Sequence, residues 1–179
     1  EEEYIGSCLE YAIRNSLGKF FEIIVINNAS TDRTKQVAES YPGVRVVDEE
    51  RKGLTIARQR GLKEASGDVL AYIDADTRLP EGWIQKVFYY YAKKPKLVCL
   101  SGPYKYYDGS RWQNLFMTIL WRIFTPITHW LVGYMAIGGN FVAKKEALIS
   151  MGGFDVTISF YGEDTDIARR LHKYGIVSF

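Results

Sequence analysis

Four strand-like runs, at residues 21–26, 44–47, 69–73 and 97–106, alternate with stretches of helical periodicity, and this order constrains the fold most strongly. A strand, a helix and then another strand make a crossover. The expectation is an α/β fold with a mostly parallel sheet, flanked by helices on both faces as a three-layer sandwich. Tyr4, Ile5, Cys8, Leu9, Ala12 and Ile13 recur at helical spacing in a first helix that ends near Gly18. A second helix covers about 33–40. A third covers 53–65, where Ala57, Gly61 and Ala65 would let it lie close to the sheet. A fourth opens near Pro80 with the stripe Trp83, Ile84, Val87, Phe88 and Tyr91.

In sheets of this kind ligands bind beyond the carboxyl ends of the strands. Two such ends carry polar clusters. The first is Asn27-Asn28-Ala29-Ser30-Thr31-Asp32, and the second is Asp74-Ala75-Asp76. If the extended conformation persists past Ile73, Asp74 and Asp76 point the same way. Two carboxylates on one side suit Mg²⁺ or Mn²⁺, which keep several waters and share substrate phosphates. The plain alternative is a turn or a helix cap, a common use of aspartate at a strand end.

Composition bounds the rest. At 179 residues, 47% of them hydrophobic and 25% charged, the chain is one globular domain with a real core. A net charge of +2 with no basic arm gives no reason to expect nucleic acid. Cys8 and Cys99 lack metal-ligand spacing and read as buried free thiols in a reducing, cytoplasmic compartment. The chain opens abruptly on Glu1-Glu2-Glu3, which reads as lying inside a helix, so a piece of a longer sequence is expected.

Residues 112–137 form a long apolar and aromatic run interrupted by Arg122, Pro126 and His129. The interruptions argue against a membrane-spanning helix. Two core or groove-lining helices broken near Pro126 are expected; the competing reading is a helix pair making peripheral contact with a membrane interface. Trp112, Trp121 and Trp130 are spaced by two and a half helical turns, so successive rings should alternate sides. Beyond this run lie the Gly138-Gly139-Asn140 loop, a strand, a helix at 145–151, and a final helix. That last helix has Glu163, Asp164 and Asp166 in its first turn and Arg169, Arg170 and Lys173 in its last.

Taken together, the segments resemble the family 2 glycosyltransferases, inverting enzymes of the GT-A (Rossmann-like) fold. The matching pieces are residues 22–34, Ala57-Arg58-Gln59-Arg60-Gly61, Gly67-Asp68 leading to Asp74-Ala75-Asp76, Gly138-Gly139-Asn140, Gly152-Gly153-Phe154-Asp155 and Gly162-Glu163-Asp164-Thr165-Asp166. Each alone is weak, but together they occur in the family's order along nearly the whole chain. The resemblance implies a single domain over 1–179, truncated at both ends, with a nucleotide-sugar-binding half at 1–106 and an acceptor-binding half at 107–179. It implies transfer of a sugar from a nucleotide-diphosphate sugar to a hydroxyl acceptor: a glycan, a lipid-linked acceptor or a cell-envelope polysaccharide precursor.

By the same resemblance, Asp76 and Asp74 hold the divalent metal. Asn27, Asn28, Ser30 and Arg58 join them around the donor. Gly138, Gly139 and Asn140 form a loop toward donor sugar or acceptor, although glycine pairs are more often simple turns. Asp164, with Glu163 beside it, looks like the general base that inversion requires on the face opposite the leaving group. Acids at a helix N-terminus also simply complement the helix dipole.

Two departures stand out. Asn28 replaces a common family acid, which puts a uridine preference in doubt. The family's first strand should precede Glu1. The rivals are a nucleotidyltransferase, which would want a glycine-rich phosphate loop, and a non-catalytic nucleotide-sugar-binding domain, which would have no chemical need for Asp74, Asp76 and Asp164.

Overall fold

The computed structural model describes residues 1–159 and 161–179, with only the backbone of residue 129. In chain order the elements are α1 (Ile5–Ser16), β1 (Ile23–Asn28), α2 (Thr34–Glu39), β2 (Val44–Glu49), α3 (Leu54–Glu64), β3 (Val69–Ile73), α4 (Trp83–Lys93), β4 (Leu97–Ser101), α5 (Arg111–Val132), β5 (Asn140–Lys144), α6 (Lys145–Ser150), α7 (Glu163–Leu171) and β6 (Ile176–Ser178). The expected alternation is present. The short terminal strand β6 was not foreseen, and β4 stops at Ser101, just before Gly102-Pro103.

β1 and β2 pair in parallel, from Ile23 opposite Val44 to Asn28 opposite Glu49. A second sheet has the order β3-β5-β4-β6, with β5 antiparallel to both neighbours and β6 parallel to β4. Its core contains Leu97, Cys99, Phe141, Leu148, Leu171 and Val177, all fully buried. The small stripe on α3 does what its spacing implies. A Cβ on Gly61 would stand 3.7 Å from Ile26 and 3.8 Å from Tyr72, so this helix lies across both sheets.

β1 and β3 run in the same direction without a ladder between them among the described residues. At their starts, Glu22 accepts the Ser66 backbone N–H at 2.6 Å. At their ends both meet α1 or the residues before it: the amino terminus of Glu1 pairs with Asp32 at 2.6 Å, and the Cys8 thiol lies 3.6 Å from the Asp74 carbonyl. Between the strands is an apolar cavity of about 560 Å³, lined by Leu9, Ile24, Ile26, Leu70, Tyr72 and Ile84 among others. β1 is only half-buried throughout.

Residues 112–137 correct the expectation. Instead of two helices broken near Pro126, α5 is one 22-residue helix with Pro126 inside it. Proline removes one backbone donor and crowds the preceding turn, but this helix lies at the surface, where it has room to absorb the distortion. Nor are its large side chains mainly core or groove lining, since Trp112 is 79% and Trp130 83% exposed. The alternation of rings holds: Trp121 turns inward onto Tyr104 and Phe179, with centroids 5.5 and 5.4 Å away.

Candidate active site

Strand register brings the scattered motifs together. Ile73, the last residue of β3, pairs with Asn140, the first of β5, so Asp74 and Gly139 face each other just beyond the ladder. Asp74 N–H donates to the Gly139 carbonyl at 3.3 Å. The extended conformation does not persist. Thr77 N–H bonds back to the Asp74 carbonyl at 3.0 Å, making a turn that leaves Asp74 half-buried and Asp76 exposed. The fields of both acids still meet: burial first, then Asp76 and Asp74, push the Cys8 thiol up to about 11.

Arg58 is the hub. Projected from α3 and 6% exposed, it pairs with Glu163 at 2.7 Å and Asp74 at 3.2 Å, and donates to the Gly138 carbonyl at 2.8 Å. One guanidinium thus joins the end of β3, the loop before β5 and the start of α7. A planar fork with several fixed donors suits this task better than an ammonium. The glycines are explained by the same crowding. A Cβ on Gly138 would collide with the Glu163 carboxylate, and one on Gly139 would lie 2.7 Å from Asp74 Oδ2.

The two acids that open α7 have different surroundings. Glu163, expected beside Asp164 as a catalytic acid, is buried as the counter-ion of Arg58, and its Oε2 has no hydrogen-bond partner. Burial raises its carboxyl above the ordinary range. Arg58 opposes the rise, while Asp164 and Asp74 add to it. Asp164 is half-exposed, and its recorded contacts, the Thr165 N–H at 2.7 Å and hydroxyl at 3.3 Å, both engage Oδ1.

The remaining candidates divide between structural contacts and open positions. Asn28 is held by the backbone: it donates to the carbonyls of Glu49 and Arg51 at 3.2 and 2.6 Å, and accepts from Gly53 N–H at 2.7 Å. Asn27 donates to Asp48 at 2.8 Å, and its buried Oδ1 lacks a partner. Ser30 is exposed in the loop after β1. The Asn140 amide oxygen accepts from the Trp83 indole at 3.2 Å, which ties α4 to β5.

Gln59 was not singled out, although it stands inside the recognised 57–61 stretch. Its Oε1 accepts the Phe154 N–H at 2.8 Å, and a Cβ on Gly153 would collide with it. Thr55, one turn earlier, donates to the Ile158 carbonyl at 2.9 Å. Thus one side of α3 holds the connection between α6 and α7 at two points. The sole signal in the sequence was adjacency to Arg58.

The α/β core has the GT-A fold of solved glycosyltransferases. The model of glycosyl transferase family 2 matches residues 1–152, and the chain belongs to that family. It is similar to a dolichol-phosphate mannosyltransferase of Pyrococcus furiosus, 40% identical over 80 residues, or 42% of this chain and 23% of that one. Among solved structures it resembles the mannosyltransferase PcManGT of Pyrobaculum calidifontis in complex with GDP-Man and Mn²⁺. The TM-score is 0.76 at 21% identity, covering 100% of this chain and 51% of that one. A second is the glucosyl-3-phosphoglycerate synthase of Mycobacterium tuberculosis with Mn²⁺ and UDP-glucose. Here the TM-score is 0.63 at 25% identity, covering 99% and 64%. The alignments span only 21% to 26% of the length of three bacterial relatives.

Proposed function

We propose that this domain transfers a sugar from a nucleotide-diphosphate donor to an acceptor hydroxyl with inversion, residues 1–106 forming the donor side and 107–179 the acceptor side. The observation that carries the reading is the Arg58 hub, which draws Asp74, the Gly138-Gly139 loop and the start of α7 around one point beyond the strand ends. Asp164 is the base. Its half-exposed carboxylate takes the acceptor proton as the hydroxyl oxygen bonds to the anomeric carbon and the nucleoside diphosphate leaves with the electrons of the breaking C–O bond. Glu163 positions rather than reacts, because its charge is committed to Arg58. Asn27 Oδ1 is an acceptor available to the donor base.

Asp74 and Asp76 fit Mn²⁺ or Mg²⁺ as an all-oxygen pair carried by the turn that follows β3. Among the described residues no cluster of three or more His, Cys, Asp or Glu forms a complete protein cage. A metal ion held by two acids and sharing the donor diphosphate would neutralise charge on the leaving group. The buried thiols fit a reducing, cytoplasmic setting.

Calorimetric titration with UDP, GDP and TDP, with and without Mn²⁺, tests the reading. One nucleotide should bind only with metal, and Asp76→Ala should abolish that binding. Asp164→Asn should bind it normally yet turn over more slowly by about 10²–10⁴-fold, the span of general-base catalysis. Metal-independent binding, or full turnover by Asp164→Asn, would overturn the assignment.

A further inference from the structure

Helix α5 wears its amphipathicity inside out. At 3.6 residues per turn, Asn114, Met117, Thr118, Trp121, Thr125 and Thr128 share the half-buried inner side, and most of them are polar. Asn114 exchanges bonds with the Tyr106 backbone at 2.9 and 2.8 Å, and Trp121 rests on Tyr104 and Phe179. The outer side carries Trp112, Phe116, Ile119, Ile123, Ile127 and Trp130, which are 79%, 65%, 48%, 53%, 51% and 83% exposed. A helix packed on its own domain normally turns that stripe inward. Here Trp112 and Trp130 stand at the same angular position about 27 Å apart, at the two ends of one continuous apolar ridge.

The charge around the ridge selects its partner. No Asp or Glu occurs from residue 109 to 145, while Arg111 and Arg122 project beside the stripe and Lys105 precedes it. Tyr104, Tyr106 and Tyr107 are exposed in the loop that leads into the helix. Tryptophan and tyrosine favour the boundary between headgroups and acyl chains, and arginine stems reach from apolar surroundings up to phosphate. Asn114 ties the first turns to the loop that leads into the helix and Trp121 rests on Phe179, which leaves the outer side open to a surface.

We propose that α5 docks this domain onto a bilayer containing anionic lipid, its outer stripe entering the headgroup boundary with Arg111 and Arg122 at the phosphates. The test is flotation with phosphatidylcholine vesicles, with and without phosphatidylglycerol, alongside quenching of tryptophan fluorescence by brominated acyl chains. The protein should float with the anionic vesicles and be quenched by their brominated form. Trp112→Ser/Ile123→Ser/Trp130→Ser should lose both signals with an unchanged unfolding temperature. Arg111→Gln/Arg122→Gln should weaken binding about thirtyfold, about fivefold for each cation removed near an anionic surface. The arginine variant and the quenching decide the matter if the serine variant does not fold. The proposal is overturned if wild-type protein stays unbound, or if the folded serine variant binds as wild type does. It is equally overturned if sedimentation shows a vesicle-indifferent dimer that the serine substitutions dissociate, which would assign the ridge to a second copy.

Discussion

Replacing Arg58 with Met keeps most of the stem and removes the cation at the centre of the site. Two carboxylates lose a partner, and their surroundings weight them unequally. Asp74 has a side chain 44% exposed, so water takes over and the loss is about 0–1 kcal/mol. Glu163 is buried, and one of its oxygens already lacks a hydrogen bond. Removing one partner of a buried pair costs about 3–5 kcal/mol. That loss must depend on pH. Glu163 has a folded-state pKa raised above the ordinary value of 4.5, and removing Arg58 takes away the main influence opposing the rise. Above 4.5 the unfolded chain releases this proton while the folded one keeps it, so stability falls with rising pH until the raised pKa is passed. Urea unfolding should therefore show Arg58→Met close to wild type near pH 4 and several kcal/mol weaker at pH 8. Adding Glu163→Gln removes the stranded charge and should recover about 1–3 kcal/mol at pH 8. A loss below about 1 kcal/mol at pH 8, or strict additivity of the two substitutions, would refute the hub.

Two further outcomes follow from close approach and from burial. Gly139→Ala forces a methyl group to 2.7 Å from Asp74 Oδ2, so metal-dependent nucleotide binding should weaken and stability fall by about 1–3 kcal/mol. Calorimetry and thermal unfolding measure the two, and wild-type values in both would refute the crowding. Burial, with help from Asp76 and Asp74, pushes Cys8 up to about 11, and burial alone pushes Cys99 up to about 12. Both thiols should resist iodoacetamide at pH 8 while the protein is folded and react in urea, as mass spectrometry would show. Rapid alkylation of the native protein contradicts that placement.

Periodicity made the alternation of strands and helices legible, because burying one face of each element leaves its repeat in the residues. The inward turn of Trp121 between Trp112 and Trp130 follows from the same arithmetic. Local pattern could not assign α5 an outer environment, since an apolar stripe reads alike whether it faces a core or a membrane. Nor could it reveal that Pro126 lies within one continuous helix, because the room to absorb a missing rung is a property of the surroundings.

The site divides along the same line. Asp74, Asp76, Gly138, Gly139 and Asp164 were visible as residue types in order. What each touches was decided by contacts between segments far apart in the chain. Register set Asp74 against Gly139, and Arg58 bound Glu163 from α3, leaving Asp164 half-exposed. Asn28 and Gln59 gave no local sign of the backbone groups they hold, because those groups arrive only when the loops close. Short-range order is encoded in the period of a segment. The partners of a buried charge or amide are decided by packing, and packing is long-range.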